Sequence, residues 1–288
     1  GEVWYNNTTK ALKGTTAGGA AAGTWASGGA LNTARVSLRG SGTQTAGLAV
    51  GGSTTVVLAN TELYNGSSWT EVNDLNTARR NMGVAGTQTA SIAGTGAGAP
   101  APLSPSCELW NGTSWTEVAD MNTYRQSQSA CGTSTSALTA GGEPGNPTNA
   151  ETWNGSSWTA IATISSGGIT GMAGVSNSSA LAISGVPGVR GVNVEQWNGS
   201  GWTEIANVNV PRYHAGTSGT VTEALFFGGG DPIVTNTEYW NGSSWTEVAN
   251  LSTATANMMA SNQSASAALS AGGFVSGSPN GVTTTEEW

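Results

Sequence analysis

Charge is scarce in this chain: Asp, Glu, Lys and Arg together make up 9% of 288 residues. Lysine occurs only at Lys10 and Lys13, so no basic patch exists. Nucleic acid is excluded as a partner, because phosphate binding needs clustered Lys and Arg. Histidine occurs once, as His214, which excludes a multi-histidine metal site; zinc-ligand spacings are also absent. No cofactor is expected. The two cysteines, Cys107 and Cys131, cannot make a disulfide framework and form no CxxC pair. They are expected as small buried residues. No apolar run approaches the roughly 20 residues of a membrane helix, so no membrane insertion is expected, and no leader-like pattern is visible.

What is abundant is glycine, with 43 residues, amid Ser, Thr, Asn and Ala. Such a composition resembles low complexity, but 12 tryptophans can anchor a packed core. The length suits one large all-β domain. The net charge is −8.

The tryptophans are periodic. Asn-Gly-Ser-Ser-Trp or a close variant ends at Trp69, Trp115, Trp158, Trp202 and Trp245. With Trp25 these are spaced by 44, 46, 43, 44 and 43 residues. Six residues after each comes an apolar residue: Leu31, Leu75, Met121, Ile164, Val208 and Leu251. Asn-x-x-Arg follows, ending at Arg35, Arg79, Arg125 and Arg212; Ser165–Gly168 stands in its place in the fourth unit. Two short apolar segments then flank a polar turn, and the second often ends in Gly-Gly. A variable stretch leads to Glu-x-aromatic at Glu62/Tyr64, Glu108/Trp110, Glu151/Trp153, Glu195/Trp197, Glu238/Trp240 and Glu286/Trp288.

Each unit reads as four short strands, with Asn-Gly between the third and fourth as a type I′ hairpin turn. No segment has a helical period or helix caps. A four-stranded unit near 44 residues long predicts an all-β six-bladed β-propeller of antiparallel blades. The blades are expected at about 32–72, 76–118, 122–161, 165–205, 209–248 and 252–288 within a 22–288 domain. The last unit lacks its fourth strand, and "GTWASGGAL" at 23–31 is left over. Ring closure by that strand would remove the exposed edges of an open array. The recurring pattern Arg…Gly-Gly…Glu-x-aromatic…Trp resembles the kelch repeat, over roughly 22–288. Kelch-type copper oxidases use two His and two Tyr, which a single histidine cannot supply.

Residues 1–21 stand outside the repeat and read as a hairpin and Gly/Ala/Thr linker that either packs on a blade or tethers the domain. "GEVWYNNTTKALKG" resembles a short motif of phage tail-fibre and other virion structural proteins. That resemblance implies an extracellular or virion-associated setting and contact with other virion proteins through this segment.

No catalytic constellation stands out, so the chain is expected not to be an enzyme. Gly-x-Ser/Thr-Trp resembles half of a sialidase Asp-box, but the Asp position is aromatic. Glu62, Glu108, Glu151, Glu195, Glu238 and Glu286 are repeat-equivalent and are expected to make structural hydrogen bonds. Glu71, Glu117, Glu204 and Glu247 fall on outer strands, where charge discourages edge pairing.

In a four-stranded meander, loops 1–2 and 3–4 share one face, and loops 2–3 and 4–1 the other. The first face is nearly constant. The second varies, with 2–3 loops at 53–61, 95–106, 143–150, 186–194, 230–237 and 274–285. Loops on a rigid scaffold commonly carry recognition. Arg80, Tyr124, Arg125, Arg212, Tyr213 and His214 on that face are the candidate ligand-binding residues, since Tyr and Arg anchor polar partners. For Arg35, Arg79, Arg125 and Arg212 an alternative role is bracing the 4–1 turns through backbone carbonyls. The expected function is binding of a cell-surface glycan or protein receptor. A purely structural module and a polysaccharide lyase or glycosidase are the alternatives.

Overall fold

The computed structural model describes residues 3–6, 11–14, 23–98, 103–184 and 191–288. Val3–Asn6 and Ala11–Gly14 pair as an antiparallel hairpin with Val3 opposite Gly14. The rest of the candidate tether segment 1–21, and parts of the loops at 99–102 and 185–190, lie outside the described residues.

Six four-stranded antiparallel sheets follow, and among the described residues there is no helix. The chain is a six-bladed β-propeller. We label the strands of each blade a to d from the channel outward. Blade 1 is Arg39–Thr43, Ala46–Val50, Thr61–Tyr64 and Trp69–Val72. Blades 2 to 5 begin with strands a at Gly83–Thr87, Ser129–Thr133, Ile169–Ser176 and Gly216–Gly219. Blade 6 takes Met259–Ala260, Leu269–Ala271 and Thr285–Glu287 from the C-terminus, and its strand d is Ala26–Ser27. Glu286 pairs with Ser27 and Glu287 with Ala26, so the ring closes as the leftover strand predicts.

The Asn-Gly turns differ from expectation. Only the glycine has positive φ (Gly66 at 89°), so the connection is not a two-residue type I′ turn. It is a four-residue loop organised by the asparagine side chain. Asn65 Oδ1 accepts from the backbone N–H of Ser67 (3.0 Å) and Ser68 (2.9 Å), an Asx turn that lets Asn65 keep an ordinary φ.

Two aromatic positions then build the core between blades. The strand-c aromatic is buried, and in blades 2 to 5, where it is Trp, it donates to the a–b turn: Trp110 Nε1 bonds Gln88 O at 2.8 Å, and Trp240 Nε1 bonds Val221 O at 2.8 Å. The strand-d Trp packs tilted against it, with ring centroids 5.3 Å apart for Trp110 and Trp115. That second ring reaches back to the preceding blade. Where the residue before the strand-c Glu is Thr, it accepts the indole N–H: Trp69 to Thr285, Trp115 to Thr61 and Trp25 to Thr237, each 3.0 Å. Where that residue is Ala150 or Val194, Trp202 and Trp245 bond the carbonyls of Ala162 and Ala206 instead. Trp158 faces Cys107 and has no oxygen acceptor.

Cys107 and Cys131 are buried free thiols. Burial pushes their pKa values up to about 11 and about 12, so both are unreactive at neutral pH.

Candidate functional site: a blind channel with an unpaired arginine

The repeated Arg and Glu meet inside the blades. Arg35 Nη1 lies 2.7 Å from Glu62 Oε1, and Arg79 Nη2 lies 2.6 Å from Glu108. Arg125 and Arg212 lie 3.5 and 2.9 Å from Glu151 and Glu238. The second carboxylate oxygen of Glu62 accepts from Asn32 N (2.8 Å) and Nδ2 (2.9 Å), and Asn32 Nδ2 also bonds Trp69 O. Each unit thus ties the incoming d–a connection to strands c and d. Backbone carbonyls contribute as well: Arg125 donates to Asn149 O and Arg212 to Phe226 O. Burial lowers the pKa values of Arg35, Arg125 and Arg212, partly offset by the facing glutamate. Blade 4 has Gly168 in place of Arg, and Glu195 takes the N–H groups of Ser165 and Ser166. In blade 6, Glu286 takes Ser252 and Thr253 in the same way.

The six residues singled out from sequence therefore separate. Arg125 and Arg212, each 1% exposed, point inward to carboxylates and do not present to solvent. Tyr124 is 59% exposed beside buried Arg125. Arg80 forms a two-way backbone bridge with Ala97, and its Nε is buried without a partner. Tyr213 and His214 stack edge to face, with centroids 4.9 Å apart.

His214 belongs to a collar that the sequence did not announce. Ser37, Asn81, Ser127, His214 and Asn257 occupy one repeat position, and all have φ between 53° and 57°. Left-handed backbone is uncommon outside glycine and mildly strained. The position links blades through the backbone: Asn257 N bonds His214 O, Ser37 N bonds Asn257 O, Asn81 N bonds Ser37 O, and Ser127 N bonds Asn81 O, at 2.8–3.0 Å. The collar frames the channel on the face with the unequal loops. Two of its side-chain acceptors, Asn81 Oδ1 and Asn257 Oδ1, are buried without partners.

Inside the collar lies a cavity open at one end, lined by the first residues of strands a and by Asn262. Its far end is blocked. Blade 6 sends its a–b segment across the axis, where Asn262 Nδ2 bonds Val84 O of blade 2. Gln263 Nε2 bonds Gly86 O of the same strand at 2.8 Å. Ser264 closes on Ser218 of blade 5. The channel is thus blind at the equal-loop end.

The one charged lining residue is Arg39, the first residue of blade 1. By strand register its repeat equivalents are Gly83, Ser129, Gly171, Gly216 and Met259. Among the described residues its only side-chain hydrogen bond runs from Nη1 to Leu38 O at 3.0 Å, and no carboxylate pairs with it. None of its nitrogens is a sealed orphan, unlike Nε and Nη2 of Arg35. The guanidinium borders the open channel while protein surrounds the rest of the side chain, and this burial pushes its pKa down to about 10, still charged at neutral pH. Burial and the charge of Arg39 push His214 down to about 3, so that imidazole stays neutral. Sequence inspection missed Arg39 because the eye follows the repeated Arg four residues earlier. The available signal was a charge at a repeat position that is elsewhere small or apolar.

No family model and no curated protein matches the chain. Solved structures do match. The structure of YjhT superimposes with a TM-score of 0.73 over 89% of this chain and 95% of that one, at 13% identity. At that identity the likeness establishes the fold.

Proposed function

We propose that this propeller is a non-enzymatic binding module of a virion or similar extracellular particle, recognising a cell-surface glycan or protein. In this reading it is a kelch-like propeller with a tail-fibre-like N-terminal segment. The observation that carries the reading is the asymmetry of the two faces. The equal-loop face repeats the same Asx and Thr turns in blade after blade and is blocked at its centre. The other face has unequal loops and an open channel, with Tyr124, Tyr213 and Arg80 on its connections. Among the described residues, two of the three exposed large hydrophobic side chains, Val56 and Tyr124, lie on that face. Exposed aromatic and arginine side chains on a rigid scaffold are the usual anchors of recognition. The repeat-equivalent glutamates, where catalytic acids would be sought, are engaged in structural bonds. The test is a broad glycan array probed with the protein displayed multivalently on beads, because avidity reveals weak single-site binding. Selective binding supports recognition; silence on the array and on host-cell surfaces favours a purely structural module.

A further inference from the structure

The four arginines of the Asn-x-x-Arg position each face a carboxylate, whereas Arg39, four residues after Arg35, faces none among the described residues. A cation held among protein atoms without a counter-charge is costly, and a fold normally pairs it or leaves it in bulk water. Five blades show that the position does not need charge, since Gly, Ser and Met serve there. Arg39 also braces little, with a single bond to its own neighbour's carbonyl. Lining the same channel are Ser129, whose hydroxyl can donate a hydrogen bond, Thr217, whose hydroxyl donates to Met172 O at 2.9 Å, and Met82 and Met172, which give an apolar wall. The site is blind below and open above, so a ligand enters from the unequal-loop face and stops at Asn262.

We propose that this channel is an anion site in which Arg39 binds the carboxylate of an acidic sugar or similar small polar carboxylate. The planar guanidinium offers paired N–H donors that match a carboxylate. One cation and no second one nearby suits a single negative charge. The neutral His214 adds no second cation. The inference rests on the reading that the unequal-loop face binds, and it names the chemistry of the group that enters the channel.

The probe is sodium D-glucuronate, titrated into the full chain while the Arg Nε–Hε resonances are followed by NMR. D-glucose and, at matched ionic strength, sodium sulfate are the controls. The expected result is a saturable shift of the Arg39 resonance with glucuronate and none with glucose. Arg39→Met, a side chain the repeat already accepts at Met259, is expected to weaken binding roughly 10- to 100-fold. Arg39→Lys retains part of it. The same Arg39→Met protein is expected to melt higher than the parent, because an uncompensated charge is gone. Equal responses to glucuronate and glucose, an equal response to sulfate, or a lower melting temperature in Arg39→Met would each overturn the proposal. Selective array binding of neutral glycans, unchanged in Arg39→Met, would retain the receptor reading and reject the anion site. Array silence with a glucuronate response lost in Arg39→Met would do the reverse.

Discussion

Trp69 Nε1 donates to Thr285 Oγ1 across 3.0 Å, and the two residues are 216 positions apart. The bond crosses the seam where blade 6 meets blade 1. It is the same contact that Trp115 makes to Thr61 inside the continuous chain. The seam is therefore built with the same parts as an ordinary blade junction. Closure depends on long-range contacts of this kind, which makes slow folding the expectation.

Thr285→Val keeps the shape and removes the acceptor, leaving a buried indole N–H without a partner. The expected loss is about 1–3 kcal/mol in denaturant unfolding. Trp69→Ala removes the ring as well and is expected to cost about 3–5 kcal/mol. The smaller loss for Thr285→Val is what distinguishes an orphaned donor from a lost core ring.

The buried ion pairs give a second comparison. Glu62→Gln leaves Arg35 charged and enclosed, and breaking such a pair typically costs about 3–5 kcal/mol. Glu195→Gln, in the blade where Gly168 replaces the repeat arginine, weakens hydrogen bonds to Ser165 and Ser166 and is expected to cost about 1 kcal/mol. Equal losses from the two variants would show that the arginine charge is not what Glu62 answers.

His214 sets an acid limb of stability. Its pKa in the fold is about 3, against 6.5 for the free side chain. Between those values the unfolded chain binds a proton that the folded chain does not. Stability from this group is therefore full above about pH 6.5 and falls as pH drops toward 3, by about 1.4 kcal/mol per pH unit. His214→Asn places in the collar a residue it already uses at Asn81 and Asn257, with φ of 53° and 56°. That variant is expected to flatten the limb without loss at pH 7. An unchanged acid slope in urea unfolding would contradict the burial of the imidazole.

The blades, their number and the closing strand were legible in the sequence because tryptophan spacing and turn residues are local signals repeated many times. The Asn-Gly turn was read correctly as a turn and wrongly as type I′, since φ at Asn65 depends on its side chain accepting Ser67 and Ser68. Arg125 and Arg212 were set on the ligand face because a sequence gives the position of an arginine and not its direction. The pairing of Arg79 with Glu108, 29 residues on, is fixed only by strand register. The collar, the blocking segment at Asn262 and the isolation of Arg39 all arise from blades that are neighbours or opposites in space. No single repeat contains that information.

The most direct measurement compares the two faces on one glycan array. Tyr124→Ala and Tyr213→Ala alter the unequal-loop face, and Thr45→Ala and Thr89→Ala alter the equal one. The expected result is selective binding by the parent, retained by both threonine variants and lost or reduced at least 10-fold in both tyrosine variants. Retention in the tyrosine variants with loss in the threonine variants would place recognition on the wrong face and contradict the proposal.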